Sequence, residues 1–169
     1  MLRGVDHRDG LSELANDLGL LDQGAELGVY RGDFARVVLS RWHGSRWHLV
    51  DSWINGQDLP YSHGQDENMD AAIASVDSFG AQRYKVVRNT TDLAAHTYAE
   101  GSLDWVYVDA THTYADCRRD LQTWAPKVRM GGLLSGHDYW NGWQPLAGYT
   151  FGCRDAVDEF AAVYGLRVH

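Results

Sequence analysis

Apolar and polar residues change period along this chain, and each change marks the edge of an element. Leu11, Leu14, Leu18 and Leu21 recur at helical spacing behind a cap at Asp9, which predicts a leading amphipathic helix. A short apolar run predicts a first strand over residues 24–28, and Phe34, Val37 and Val38 predict a helix over 33–42 with these three inward. Further strands are predicted at Arg46–Asp51, Tyr84–Arg88, Asp104–Asp109 and Gly131–Gly136. Between them, Met69, Ala72, Ile73 and Val76 mark a helix behind Asp66, another covers 92–98, and Tyr114, Cys117, Leu121 and Trp124 mark one that Pro126 stops. Segments 52–65 and 140–152 lack periodicity and read as loops, and Trp53, Tyr61 and His63 in the first read as residues that pack it down. A last helix carries Val157, Phe160, Ala161 and Tyr164 before Leu166–His169, which resembles the start of a sixth strand. Strands alternating with helices predict an α/β fold with a doubly wound, mostly parallel sheet and helices on both faces.

The polar punctuation of this pattern is uneven. Glu26-Leu27-Gly28-Val29-Tyr30-Arg31-Gly32-Asp33 is a strand end, a glycine turn and a helix start. Gly28 permits close backbone approach and Gly32 a tight turn into a helix whose free N–H groups face the loop. It is neither the G-x-G-x-x-G of dinucleotide sites nor a P-loop, and Glu26 suits a cationic amine better than a pyrophosphate. Asp51 closes the second strand 23 residues beyond Gly28, close to where α/β folds hold a ribose diol with an acid. Asn89 and Thr90 end the third strand where they can read an adenine edge; Thr91 or Asp92 can equally cap the next helix. Asp109, His112, His137 and Asp138 meet at one rim if the fourth and fifth strands are neighbours. Two acids and imidazole there suit a divalent cation that lowers a hydroxyl's pKa, with His112 placed to accept the proton. The plainer reading is that these are helix-capping and turn residues.

Size and charge narrow the classes. At 169 residues the chain is expected to form one domain over 1–169. A net charge of -8 offers no basic footprint for nucleic acid or an anionic membrane, and a small neutral or cationic ligand fits better. No window reaches a membrane span and the first residues lack a leader's apolar region, so a cytoplasmic protein is expected. Cys117 and Cys153 lack any metal-type spacing and read as reduced packing residues.

Several of these stretches together resemble a known family, the class I S-adenosylmethionine-dependent methyltransferases, and within it the small-molecule branch of macrolide-sugar O-methyltransferases. The resemblance rests on Ala25–Gly32, Leu49–Trp53, Val108–Tyr114, Asp120-Leu121, Trp124–Pro126, Gly131–Tyr139 and Ala156–Phe160. It implies a Rossmann-like fold and a donor, S-adenosylmethionine, held by Glu26, Gly28, Val29, Tyr30 and Gly32 along its methionine part. Asp51 and Ser52 would take the ribose and Asn89 and Thr90 the adenine, with Asp109 closing the site. Metal-dependent relatives imply magnesium or manganese on Asp109, His137 and Asp138, with His112 as base and Asp109 beside it. His137 stands where an acid is usual, and its softer imidazole shifts the balance from magnesium towards manganese, iron, zinc or no metal. The family's sheet ends in a strand hairpin, of which this sequence holds only the start at 166–169. Either the seventh strand is absent or a second copy covers that edge, a homo-oligomer.

The expected activity is therefore transfer of a methyl group to a hydroxyl of a small molecule, a sugar or natural product, with or without a metal. The alternative is a module that binds S-adenosylmethionine without turnover. A nucleic-acid methyltransferase ranks below both, because Asp109-Ala110-Thr111-His112 replaces the Asn-Pro-Pro-Tyr-like motif and the chain is acidic.

Overall fold

The computed structural model describes residues 7–55 and 64–169. Its frame is a parallel sheet of β1 (Gln23–Leu27), β2 (Arg46–Asp51), β3 (Tyr84–Arg88), β4 (Leu103–Val108) and β5 (Val128–Gly136), in the order β3-β2-β1-β4-β5. A 3-10 turn at Arg8–Gly10 leads into α1 (Leu11–Asp17), and α2 (Asp33–Arg41), α3 (Gln65–Val76), α4 (Thr91–Ala95), α5 (Tyr114–Trp124) and α6 (Cys153–Tyr164) follow. Strand order reverses between β1 and β4, which opens a crevice above their carboxyl ends.

The central strands β1, β2 and β4 are buried on both faces, so they read as apolar runs with few polar breaks, while β3 and β5 at the edges are partly exposed. Residues of alternate parity go to opposite sides. Trp47, Leu49, Trp105 and Tyr107 pack with Phe34, Ala35 and Val38 of α2, while Ala25, Leu27, Val50 and Val106 pack with Ala94 of α4 and Trp124 of α5. The first face is dominated by indoles: the Trp47 ring lies 5.4 Å from Trp42 and 4.7 Å from Trp105. Each buried N–H finds an acceptor, Trp42 on the Leu20 carbonyl at 2.6 Å and Trp105 on Ser135 Oγ at 2.8 Å. On the second face two polar groups are buried. His48 sits between the Tyr98 hydroxyl and Gln23 Oε1 at 2.8 and 3.0 Å, and Asp120 accepts from Thr91 Oγ1 at 2.5 Å.

Four expectations change. The leading helix stops at Asp17, because Gly19 turns left-handed at φ 69; Leu18 and Leu21 are exposed, and Ala15 and Leu20 fill the core instead. In α2 the inward set is Phe34, Ala35, Val38 and Leu39, with Val37 half-buried. The loop expected over 140–152 contains an antiparallel hairpin of β6 (Asn141–Gln144) and β7 (Tyr149–Gly152), a separate two-stranded sheet placed before α6. Residues 166–169 form no strand, so among the described residues β5 is an edge of the main sheet.

Candidate active site

The glycine turn is built for the protein's own backbone first. Gly28 has φ 84, and a Cβ there would lie 2.1 Å from the Asp109 carbonyl oxygen, so the close approach it permits is that of the β4 end. Gly32, at φ 80, lets α2 start against α3, where a Cβ would meet Ser75 Oγ at 2.4 Å. Tyr30 also has positive φ, and its carbonyl accepts the Trp53 indole N–H at 2.9 Å. Trp53 is itself fully buried and packs the segment down, as expected; Tyr61 and His63 lie outside the described residues.

Asp51 ties this turn to β2. Its Oδ2 accepts the backbone N–H groups of Val29 and Tyr30 at 2.8 and 2.9 Å, and its Oδ1 that of Trp53 at 2.9 Å. The carboxylate is thus held in place by three donors, which leaves about one of its four lone-pair sites for the crevice that Asp51 lines.

Above these strand ends lies a cavity of about 610 Å³. Of the residues expected to hold the donor, Gly28, Tyr30, Asp51, Ser52, Thr90 and Asp109 line it. Val29 and Gly32 support the turn from behind, and Asn89 turns its Oδ1 back to the Thr90 N–H at 2.9 Å, leaving Thr90, Thr91 and Asp92 as the wall. Glu26, also expected to hold the donor, does not line the cavity: it is 2% exposed, with Trp47 Nε1 donating to Oε2 at 3.2 Å. Burial holds its carboxyl well above the usual range; the Trp47 bond and the Arg8 charge oppose this, and Asp109 adds to it.

The other half of the cavity is the rim expected to carry chemistry, and β4 and β5 are indeed neighbours. His112 Nε2 lies 3.1 Å from Asp109 Oδ1 and 3.0 Å from Asp138 Oδ2. Burial pulls the imidazole down, but the bond to Asp109 and the charges of Asp109 and Asp138 outweigh it and hold it above its ordinary value. His137 Nδ1 approaches the same Asp138 oxygen at 3.1 Å. One ligand atom each from Asp109, His137 and Asp138 falls within 4.8 Å of the others, so the donor set fits a divalent cation in both spacing and chemistry.

Residues 139–151, which the sequence gives to the wall of the acceptor pocket, do line the cavity, though as a hairpin; Arg8 was not legible as a site residue. The hairpin supplies Gln144, Leu146, Ala147, Tyr149 and Phe151 to the cavity wall, and Phe151 stacks on His112 at 4.5 Å. Arg8, in the turn before α1, places Nη1 3.5 Å from Asp109 Oδ2. A lone arginine in a polar segment carries no pattern, and the hairpin strands are only four residues each.

Comparison with known proteins agrees with this geometry. The sequence profile of the family described as a methyltransferase domain matches residues 25–139. A Klebsiella pneumoniae protein proposed to be an O-methyltransferase superposes with TM-score 0.61 at 12% identity, over 98% of this chain and 70% of its own. A Clostridium thermocellum protein proposed to be an rRNA methylase gives TM-score 0.63 at 12% identity, over 94% and 82%. A Corynebacterium glutamicum protein gives 0.55 at 15% identity over 79% of this chain, which spans only 59% of that longer protein. A search of curated proteins finds no match. At these identities the superpositions speak for the fold, and the profile speaks for the family: the chain belongs to the class I S-adenosylmethionine-dependent methyltransferases.

Proposed function

We propose that residues 1–169 act as one S-adenosylmethionine-binding domain that methylates a hydroxyl group of a small molecule, such as a sugar or another natural product. The observation that carries this reading is the convergence of Asp51, Asp109, His112 and Asp138 on a single cavity at the carboxyl ends of the strands. In this reading the donor's ammonium faces Glu26, its ribose Asp51 and Ser52, and its adenine the wall from Thr90 to Asp92. The sulfonium then lies near Gly28 and Asp109, pointing its methyl group at the rim.

The acceptor hydroxyl would lie between that methyl and His112. Its oxygen forms the new C–O bond as the S–C bond breaks, the electron pair goes to sulfur, and the hydroxyl proton passes to His112 in its neutral form. Most of the rate would come from holding oxygen, methyl carbon and sulfur in line. Asp109 and Asp138 hold the imidazole by one nitrogen. Asp109, His137 and Asp138 would hold a divalent cation, magnesium or manganese, which when bound lowers the pKa of the acceptor hydroxyl.

The acidic chain, at -8, supports a small acceptor over RNA, although proteins of similar fold include ones proposed to be rRNA methylases. No helix among the described residues is long and apolar enough to cross a membrane. Calorimetric titration with S-adenosylhomocysteine, followed by label transfer from methyl-labelled donor to a panel of sugars, phenols, polyketides and RNA, tests the reading. Binding with transfer to a hydroxyl compound is expected. Transfer to RNA alone would reassign the substrate, and binding without any transfer would favour a module without turnover.

A further inference from the structure

The second nitrogen of His112 has a partner of its own. Two carboxylates converge on Nε2, Asp109 at 3.1 Å and Asp138 at 3.0 Å. A carboxylate only accepts, so the N–H of the neutral imidazole belongs on Nε2, and the lone pair that can take a proton is on Nδ1. That nitrogen faces the Tyr149 hydroxyl at 3.5 Å. The same hydroxyl accepts the backbone N–H of His112 at 3.4 Å, which leaves its own proton to point at Nδ1. Phe151 covers one face of the imidazole at 4.5 Å, and Tyr149 in turn stacks on Phe151 at 5.4 Å. The strand β7 is thus fitted to one residue three times over, the third link being the Gly152 N–H, which donates to the His112 carbonyl at 2.9 Å.

Tyr149 is half-buried and lines the cavity together with His112 and Asp138. Its stack on Phe151 needs only the ring, so the hydroxyl calls for a separate task. A phenol oxygen has one proton and two lone pairs. The proton serves Nδ1 and one lone pair serves the His112 N–H, which leaves a lone pair for the hydroxyl of an incoming acceptor. We propose that Tyr149 is a catalytic residue: its oxygen takes the acceptor's proton as its own proton passes to His112 Nδ1. The acceptor oxygen meanwhile forms the C–O bond with the methyl carbon, and the electron pair of the broken S–C bond goes to sulfur. The phenol ends as it began, and the positive charge that leaves the sulfonium reappears on the imidazolium. Contacts of this length shorten in a complex with substrate. The proposal rests on the methyl-transfer reading above and adds to it a residue of the hairpin, outside the segment that the family profile covers.

Acceptors of one shape and unequal acidity separate proton removal from packing: phenol against 4-nitrophenol, and a methyl glycoside against its deoxyfluoro analogue. Label transfer from methyl-labelled donor is measured on the full chain, on Tyr149→Phe, on His112→Ala and on the double variant. Tyr149→Phe is expected to lower kcat by about 100-fold on the less acidic acceptor, with KM held within about twofold. On the more acidic acceptor the loss should shrink to less than about tenfold, because less help is needed with the proton. The double variant should be no slower than His112→Ala, since the two residues move one proton in sequence. In Tyr149→Phe the ¹⁵N resonance of His112 Nε2 should stay in place, because Asp109, Asp138 and Phe151 still hold the ring. A shifted Nε2 resonance would overturn the proposal and make Tyr149 a support of the ring. Equal losses on both acceptors, a loss confined to KM, or no loss would overturn it as well and leave Tyr149 as cavity wall. If the unaltered protein transfers methyl to no hydroxyl compound, the reading above falls and this inference with it.

Discussion

His112 lies flat against Phe151, with ring centroids 4.5 Å apart and planes 10° from parallel. The stack covers one face of the ring, and the ring edge is shared by Asp109 and Asp138 on Nε2 and the Tyr149 hydroxyl 3.5 Å from Nδ1. Phe151→Leu should cost about 1–3 kcal/mol in stability, since the ring contacts with His112, Trp140 and Tyr149 are all lost. With the imidazole free to tilt, methyl transfer should fall about tenfold or more while S-adenosylhomocysteine affinity stays unchanged, as single-turnover rates and calorimetry would show.

Asp51 is expected to matter twice, because the same carboxylate organises the turn and faces the crevice. Asp51→Ala leaves three backbone N–H groups without their acceptor and should lower unfolding free energy by about 1–3 kcal/mol in urea titration. Its affinity for S-adenosylhomocysteine should drop by at least about tenfold. Asp51→Asn keeps one acceptor oxygen of two, and both losses should be smaller.

Two glycines with similar backbone angles should answer alanine differently. Gly19 has φ 69 and nothing within 4 Å of a built Cβ, so Gly19→Ala should cost only about 1–2 kcal/mol for the left-handed conformation. Gly28 has φ 84 with the Asp109 carbonyl oxygen at 2.1 Å, and Gly28→Ala should exceed about 4 kcal/mol or prevent folding. Equal costs would mean that β1 and β4 can separate at the site.

The two buried polar groups beneath α4 and α5 pull stability in opposite directions over the same pH range. Burial, helped by Lys85 and Arg46, lowers His48 from 6.5 to about 4, so the unfolded chain holds more protons between those values and stability rises with pH. Burial raises Asp120 from 3.8 to about 6 against the Thr91 bond, so the folded chain holds more protons there and stability falls with pH. Each effect is worth about 3 kcal/mol at full extent. Asp120→Asn should therefore stabilise the protein above pH 6, have little effect near pH 4, and unmask the rising slope that belongs to His48, read by urea titration across pH 4 to 7.

Asp138 holds a left-handed backbone at φ 53, which asparagine tolerates, so Asp138→Asn tests its carboxylate without straining the chain. If Asp109, His137 and Asp138 take a cation, manganese at about a hundred times its Kd should stabilise the protein by about 2.7 kcal/mol in thermal unfolding. The variant should lose most of that gain. A melting temperature indifferent to manganese and magnesium would leave Asp109 and Asp138 as the holders of His112 only.

What the sequence disclosed depended on whether a residue's task repeats or stands alone. Trp47, Leu49, Trp105 and Tyr107 sit on strands whose runs of apolar residues are visible at once, and the order of strands and helices was enough for the sheet. Strand-end acids were visible because a charge that closes such a run stands out, as at Asp51 and Asp109. Leu18 and Leu21 misled because the period continues past Gly19, whose positive φ ends the helix whatever leucines lie beyond it. The hairpin was hidden because Asn141-Gly142-Trp143-Gln144 and Tyr149-Thr150-Phe151-Gly152 are short and glycine-bearing, and their pairing is fixed by tertiary contact with His112 and α5. Arg8 was invisible for a related reason: its partners are Glu26, Phe34, Tyr107 and Asp109, all distant along the chain, and no local pattern reports them.

The hairpin closes a ladder only with itself, and its backbone link to the strand-end loops runs from the Gly152 N–H to the His112 carbonyl at 2.9 Å. It is in effect an interchangeable jaw mounted on a fixed vice. Substituting another sequence between Asn141 and Ala147, with Tyr149 and Phe151 kept against His112, would redraw the wall that an incoming molecule meets while the β1 and β2 ends keep their own shape, so that a change of clientele would need no change of machinery.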